Sequence, residues 1–282
     1  MSQEHHAPDG TTSPGTVPVQ TAPENQGDDD DIPFLRRVEE LVRQHKQHTY
    51  ELMRVEPGQY VLDLGCGPGT DTIPLARIVG PGGRVVGVDF DPEMLAEAAR
   101  RAHEAGVAGW VQHLQAEATA LPLGPDTCDA SRSERLFQHL VDPAAALAEM
   151  ARVTKPGGWV VVLDADWGSL SIDTPETDIE RRLVRRSAEA GHRSGRVGRE
   201  LYRLFKRQGL EAVSVEGFVV ILQSEARFRD ILLAYNNEQA ALEAGVVTED
   251  ELQRWRAALA QADAEGTFFA SMLGFIAAGR TP

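Results

Sequence analysis

The chain has 282 residues, 42% of them hydrophobic, and a net charge of −15. At roughly 100–200 residues per domain this allows one large domain or two small ones. The acidic balance argues against a protein built to grip a nucleic-acid backbone, no run of about 18 apolar residues offers a membrane span, and no basic start followed by an apolar stretch reads as a secretion signal.

Seven acids, Glu4, Asp9, Glu24 and Asp28 to Asp31, fall in the first 31 residues without a single Lys or Arg. Residues 1–32, rich in Pro, Gly, Thr, Ser and Gln and without hydrophobic periodicity, read as a disordered acidic tail. The two cysteines, Cys66 and Cys128, lack metal-ligand spacing and make no disulfide framework, so no metal is expected and a reducing cytosol is the natural setting.

From Pro33 to Met53 the pattern is helical, with Leu35, Val38, Leu41 and Val42 at spacings of three and four. The turn Glu56-Pro57-Gly58 leads to an apolar strand, Tyr60–Leu64. A helix over Asp71–Val79, a turn at Pro81-Gly82-Gly83 and a strand over Arg84–Val88 follow. Asp91-Pro92 has the form of a helix cap and first helical residue, with Leu95, Ala98, Ala99 and Ala102 as the buried face. Trp110–Gln115 and Thr127–Ser131 read as strands three and four. Asp142-Pro143 opens a helix to Thr154, Lys155-Pro156-Gly157-Gly158 stops it, and Trp159–Leu163 is strand five. Strands alternating with helices at this spacing imply a parallel sheet covered on both faces. Beyond Asp164 come an arginine-rich helical stretch (roughly 176–208), a strand at Ala212–Leu222, more helix at 225–264 and a strand-like run at Phe268–Ala277.

The chemistry is concentrated in Val61-Leu62-Asp63-Leu64-Gly65-Cys66-Gly67-Pro68-Gly69-Thr70, a strand entering a glycine turn before a helix. In open parallel sheets ligands bind beyond the carboxyl ends of the strands. Gly65 and Gly67 let a cofactor lie against bare backbone. Asp89, closing the second strand, can accept both hydroxyls of a ribose. A dinucleotide fingerprint requires glycine where Thr70 stands, and its strand would be apolar where Asp63 stands. A carboxylate there suits a cofactor carrying a sulfonium and an ammonium, not a pyrophosphate.

The segment resembles motif I of class I S-adenosylmethionine-dependent methyltransferases. Three further stretches resemble that family's motifs in the same order: Val-Asp-Phe-Asp-Pro-Glu-Met-Leu at 88–95, Ala-Glu-Ala-Thr-Ala-Leu-Pro-Leu at 116–123, and Arg-Val-Thr-Lys-Pro-Gly-Gly at 152–158. The flavour is similar to the ubiquinone and menaquinone methyltransferases and to the small-molecule methyltransferases of bacterial secondary metabolism. The resemblance implies an α/β, doubly wound Rossmann-like fold: a seven-stranded, mostly parallel sheet with helices on both faces and a helical insertion before the last strand. One domain would span 33–282, its cofactor-binding core about 55–223 and its substrate-side insertion about 225–264. The cofactor would be S-adenosyl-L-methionine. Asp63 and Gly65 would lie near the methionine part with Gly67, and Ser133 is counted with them. Asp89 would bind the ribose beside Phe90, and Met94 would pack near the adenine. Glu117 would accept from the adenine amino group, and the Ala118 N–H would reach the ring. Glu117 stands where the family has Asp, and Ala116 where it has Gly.

Methyl transfer mainly requires positioning of the acceptor, and a base helps only if the acceptor loses a proton. Arg132, Ser133, Glu134, Arg135 and His139 after strand four, and Asp164, Asp166 and Trp167 after strand five, would face the pocket. Related O-methyltransferases place a His and an Asp at the positions of His139 and Asp164, the candidate catalytic pair. Each also has a bland alternative, a packed helix residue for His139 and a loop anchor for Asp164. Phe228, Leu232, Leu233 and Tyr235 form an apolar stripe that either lines a pocket or packs on the sheet. The function expected is methyl transfer to an O, N or C atom of a small molecule, in quinone-like or secondary metabolism. Alternatives are an inactive cofactor-binding regulatory module and a macromolecular methyltransferase. The acidic balance and Ser133-Glu134-Arg135-Leu136, in place of an Asn/Asp-Pro-Pro-aromatic signature, count against the latter. The partner is a small-molecule acceptor, without nucleic acid or a transmembrane segment, and a homodimer is left open.

Overall fold

The computed structural model describes residues 31–282 apart from Leu233, with side chains described from Val42 onward except at 233–235. The acidic tail and the helical stripe of Leu35, Val38 and Leu41 therefore lie outside the described residues or side chains, as do the side chains of Leu233 and Tyr235.

Nine α-helices and seven strands alternate among the described residues. In chain order they are α1 (Asp31–Met53), β1 (Tyr60–Leu64), α2 (Thr72–Val79), β2 (Arg84–Asp89), α3 (Pro92–Glu104), β3 (Val111–Gln115), β4 (Cys128–Glu134), α4 (Pro143–Val153) and β5 (Thr154–Ile172). Then follow α5 (Thr177–Arg186), α6 (Val197–Arg207), β6 (Glu211–Leu222), α7 (Glu225–Ile231), α8 (Ala234–Glu243), α9 (Glu249–Ala264) and β7 (Ala270–Arg280). The sheet order is β3-β2-β1-β4-β5-β7-β6. β1 to β5 run parallel, and β7 is antiparallel to both β5 and β6. The strand order reverses at β1 and β4, which opens a crevice at their carboxyl ends, the place where such sheets take ligands.

Local chemistry sets the element starts. Asp91 accepts hydrogen bonds from the N–H groups of Glu93 (2.8 Å) and Met94 (3.4 Å) with Pro92 at the first helical position. Asp142 does the same for Ala145 (3.0 Å) ahead of Pro143. Such caps satisfy orphan donors of the first turn and are worth about 1 kcal/mol each. In α3 the buried face is Leu95, Ala98 and Ala102; Ala99, expected among them, is exposed.

The core has three parts. One sheet face packs Leu62, Leu64, Val160 and Val162 against Leu147, Met150, Leu201 and Phe205 of α4 and α6. The other packs Val61, Val85 and Val161 against Met53, Leu75 and Val79 of α1 and α2. A third cluster, with Ile179, Leu183, Phe228, Leu252 and Trp255, lies where the extended end of β5 meets α5 and the α7–α9 insertion.

Several boundaries differ from the sequence-based expectation, and the following bear on the site. β4 runs to Glu134, so Arg132, Ser133 and Glu134 belong to the strand and not to the loop after it. β5 continues to Ile172, so Asp164, Asp166 and Trp167 are also strand residues. The single helix expected over 176–208 is broken: α5 opens into a π turn at Ser187–Gly191, and α6 restarts at Val197. Likewise 225–264 is three helices, with Gly245 (φ +66°) turning the chain between α8 and α9.

Candidate functional site

Backbone donors of the glycine loop are turned toward the end of β2. Gly65 (φ +74°) and Cys66 both donate their N–H to the carbonyl of Val88, at 2.7 and 3.1 Å, which ties the end of β1 to the end of β2. Gly67 (φ +50°) donates its N–H to Oδ2 of Asp89 at 2.8 Å, and Asp91 donates to Oδ1 at 3.1 Å. Burial raises the Asp89 carboxyl above its ordinary range, opposed by these backbone donors. A side chain at Gly67 would meet nothing within 4 Å, so its Cα faces open space. Gly65 has no such freedom: a Cβ there would lie 2.9 Å from Leu136.

Asp63 is 2% exposed. It sits opposite Arg132 in the β1–β4 register, and Arg132 Nη1 approaches its Oδ1 at 3.5 Å. Its Oδ2 has no partner, and neither does the buried Ser133 hydroxyl. An unpaired buried polar atom costs free energy unless something supplies the missing bond. Burial pushes the Asp63 carboxyl up, and Arg132 only partly offsets it.

Around this pair lies a charge cluster that the sequence reading did not assemble. Arg132 is fully buried and reaches Asp71 (2.9 Å) and Glu134 (3.0 Å). Lys46 of α1 bridges Asp71 (3.1 Å) and Glu134 (3.2 Å). The Tyr50 hydroxyl donates to Asp71, and the Arg132 guanidinium lies over the Tyr50 ring at 5.2 Å. Burial works against charge on Asp71, but Arg132, Lys46 and the Tyr50 hydroxyl overcome it and hold its pKa below the usual range. The signal was present in α1: Lys46 and Tyr50, four residues apart, share a face with Val42, Thr49 and Met53, where a lysine is out of place unless it has buried partners.

The remaining expected cofactor residues flank the loop. Phe90, next to Asp89, is 65% exposed, and its carbonyl accepts from Gln115 Nε2 at 2.9 Å. Met94 is half-buried, Glu117 exposed and Ala118 half-buried. The Ala116 N–H donates to the Asp89 carbonyl at 3.0 Å, which brings the 116–118 loop to the end of β2.

The candidate catalytic pair separates into two different environments. Asp164 has no exposed surface, and its oxygens accept from the backbone N–H groups of Gln138 (3.2 Å) and Ala165 (2.8 Å). Burial pushes its pKa up to about 7, against those backbone donors. It ties the 3₁₀ turn Phe137–His139 to β5. His139 is on the exposed side of that turn. Its Nε2 lies 3.1 Å from Gln138 Nε2, so the amide donates and the ring nitrogen accepts. Desolvation by the surrounding chain, with His192 and Arg135 nearby, pulls its pKa down to about 4. Gln138 Oε1 accepts from Trp167 Nε1 at 2.6 Å, and the Trp167 ring stacks on His192 at 4.0 Å. Asp166 is committed to Arg199 and to the Gly168 N–H. Among the described residues no group of three or more His, Cys, Asp or Glu is arranged to hold a metal ion, and no helix is long and apolar enough to cross a membrane.

Residues 62–162, from the Asp63 strand to the middle of β5, match the family model described as a methyltransferase domain. The chain is 34% identical over 256 residues to an uncharacterized 37.1 kDa protein of transposon TN4556 in Streptomyces fradiae, across 90% of this chain and 72% of that protein. It is also 40% identical over 119 residues to the ubiquinone/menaquinone biosynthesis C-methyltransferase UbiE of Saccharophagus degradans. The chain belongs to the class I S-adenosylmethionine-dependent methyltransferases. The UbiE match spans 42% of this chain and 48% of that relative, so the chain spans about half the length of this relative. Among solved structures, the YcgJ protein of Bacillus subtilis shares the fold: TM-score 0.60 at 20% identity, over 85% of this chain and 98% of that one. That shared fold is the α/β architecture expected from the strand–helix alternation.

Proposed function

We propose that this methyltransferase transfers the methyl group of S-adenosylmethionine to a small molecule of the quinone-like or secondary-metabolite kind. The unpartnered, buried Oδ2 of Asp63, beside a glycine turn with open space before Gly67, carries this reading. The cofactor, when bound, supplies a methyl carbon on a cationic sulfur, already activated for displacement. Asp63 would complete its hydrogen bonding on the ammonium, with the Ser133 hydroxyl beside it. Asp89, whose carboxylate is already aimed by the Gly67 and Asp91 N–H groups, would accept from the ribose. Phe90 and Met94 would flank the adenine, with Glu117 and the Ala118 N–H at its edge. These residues match the donor set of the cofactor and not that of a dinucleotide, whose pyrophosphate Asp63 would repel.

On the acceptor side, His139 would touch the substrate, a reading supported by its exposure beside the ends of β4 and β5. Held neutral, with its Nε2 lone pair bonded by Gln138, it would orient an acceptor through its ring edge. Asp164 is a positioning residue, since it fixes the turn that carries His139. The Trp167–His192 stack would close the site toward the insertion. The two cysteines, free and buried, support a cytosolic setting for the enzyme. Thermal-shift measurements with S-adenosylmethionine, S-adenosylhomocysteine and NAD test the cofactor assignment. The first two should stabilise the protein and NAD should not; stabilisation by NAD alone overturns it. Turnover of methyl-labelled cofactor against a panel of phenols, quinols and amines then tests the acceptor class.

A further inference from the structure

His139 and His192 lie side by side beyond the carboxyl ends of β4 and β5, their ring centroids 5.8 Å apart. Burial lowers the pKa of both rings from the ordinary histidine value, so both are neutral at neutral pH. Each then carries one proton, and hydrogen bonds to groups of fixed polarity decide on which nitrogen. An indole N–H only donates, so the 2.6 Å bond from Trp167 Nε1 fixes the oxygen side of the Gln138 amide. Gln138 Nε2, which only donates, then meets the Arg135 carbonyl at 3.2 Å and His139 Nε2 at 3.1 Å. His139 Nε2 therefore accepts, and its proton sits on Nδ1. His192 Nδ1 lies 3.2 Å from the Ser187 carbonyl oxygen, which only accepts, so His192 also carries its proton on Nδ1.

The two rings share one tautomer but spend opposite atoms. His139 spends its lone pair on Gln138 and offers an N–H. His192 spends its N–H on Ser187 and offers the Nε2 lone pair. His139 is exposed and His192 half-buried, and His192 Nε2 is not among the sealed, unpaired polar atoms of the fold. The backbone holds His192 in place. It follows the π turn at Ser187–Gly191, a feature frequent at functional sites, and its ring stacks on Trp167 at 4.0 Å. The Gly195 carbonyl accepts from the Trp167 N–H at 2.8 Å. Ser194 donates its N–H to the Gln138 carbonyl and its hydroxyl to the Leu140 carbonyl, each at 2.9 Å. The segment carrying His192 is thus tied both to β5 and to the turn carrying His139.

A hydroxyl satisfies both open atoms. It donates its proton to His192 Nε2, accepts from His139 Nδ1 on one lone pair, and keeps the second lone pair for the methyl carbon. A neutral amine has a single lone pair, which a bond from His139 would occupy, and an acceptor carbon makes neither bond itself. An oxygen bonded to both rings, at about 2.9 Å each, needs nitrogens roughly 4.7 Å apart, which rings centred 5.8 Å apart can present. We infer that His139 and His192 hold the reacting oxygen of a hydroxyl acceptor between them, with His192 Nε2 as the base. The oxygen forms its bond to the methyl carbon, the carbon–sulfur electron pair leaves on sulfur, and the hydroxyl proton passes to His192 Nε2. A methyl ether, S-adenosylhomocysteine and an imidazolium result, and the imidazolium releases its proton to water. The inference rests on the methyltransferase reading above and narrows its acceptor atom to oxygen.

Nuclear magnetic resonance of the full chain, carrying isotope-labelled histidine and saturated with S-adenosylhomocysteine, reads both tautomers. Each ring should be protonated on Nδ1 at neutral pH. Phenol or benzyl alcohol should shift His139 Nδ1 and His192 Nε2 together, the responsive probe telling a phenolic from an aliphatic hydroxyl, and toluene should shift neither. His192→Phe keeps a ring on Trp167 and removes the lone pair. It should weaken the responsive probe about tenfold, the loss of one hydrogen bond, with S-adenosylhomocysteine affinity within about twofold as the check on folding. For an acceptor of the panel that the wild type methylates, the label should sit on oxygen, and kcat of His192→Phe should fall about a hundredfold or more. An Nε2–H tautomer in either ring, no shift with either hydroxyl probe, an equal shift with toluene, undiminished probe binding in His192→Phe, or label on nitrogen or carbon overturns the inference and leaves the cofactor reading intact. Absence of S-adenosylhomocysteine binding in the wild type overturns the cofactor reading instead.

Discussion

Arg132 and Asp63 face each other across the β1–β4 pair, yet their contact, at 3.5 Å, is the longest that Arg132 makes with an acid. Asp71 draws on Arg132, Lys46 and Tyr50, and Glu134 on Arg132, Lys46 and Arg135. Asp63 is the under-served carboxylate of a crowded buried cluster, and it is the one at the mouth of the glycine turn. A buried carboxylate oxygen without a partner raises the free energy of the folded state, which supports the proposal that Asp63 pairs with a cation of the cofactor.

Asp63→Asn follows directly. The amide keeps the shape and removes an under-paired buried charge, so the melting temperature should stay or rise. Affinity for S-adenosylmethionine should fall by roughly tenfold or more, the size of a hydrogen bond to a charged group, about 1.5–3 kcal/mol. Paired melting and calorimetric measurements check this, and a variant that binds normally removes Asp63 from the site.

Arg132→Met should act through the fold. It strands Asp71, Glu134 and Asp63 with Lys46 and the rim residue Arg135, and breaking a buried ion network at one partner costs about 3–5 kcal/mol. Urea denaturation should show that loss. A cost below about 1 kcal/mol means the cluster is hydrated and not buried as described.

Gly65→Ala and Gly67→Ala make a matched pair at positive φ, each with a backbone penalty of roughly 1–2 kcal/mol. At Gly65 the new methyl also meets Leu136 at 2.9 Å, so the larger loss of stability belongs there. At Gly67 the methyl projects into open space, so the protein should remain folded while cofactor binding collapses. Denaturation and S-adenosylhomocysteine titration on both variants separate the two effects.

The glycine turn, Asp89 and the strand–helix alternation were legible because local sequence dictates them: a turn needs glycine, a cap needs Asp, a parallel strand needs an apolar run. The cluster of Lys46, Tyr50, Asp71 and Arg132 was legible only as a lysine out of place on the apolar face of α1, because its members meet only when α1 folds over the end of the sheet and nothing in the chain says which acids Lys46 meets. The catalytic expectation for Asp164 came from its position at the end of a strand. Burial and two backbone donors, neither visible in the chain, favour the alternative read beside it, a loop anchor. Broken helices were missed where arginine-rich, helix-favouring composition runs through Ser187–Gly191, since a π turn has no strong sequence signature.

Asp164 also makes a pH prediction whose sign is set by its burial. Its pKa is raised to about 7 in the folded chain, against about 3.9 for an unperturbed aspartate. Between these values the folded state holds a proton that the unfolded state has released, so stability falls as pH rises through the window. The contribution is fully present below about pH 4 and lost by about pH 7, with a limit on the order of 4 kcal/mol from the size of the shift. Asp164→Asn cannot titrate. The stability of the wild type relative to this variant should therefore decline steadily from pH 4 to pH 7 and level off above it, whatever the variant's constant offset from its amide among backbone donors. Because other acids titrate identically in both proteins, urea denaturation of the pair at each pH isolates the Asp164 contribution. A difference that is flat across the window, or that grows with pH, shows a carboxylate that is ionised in the fold and stabilised by the Gln138 and Ala165 N–H groups.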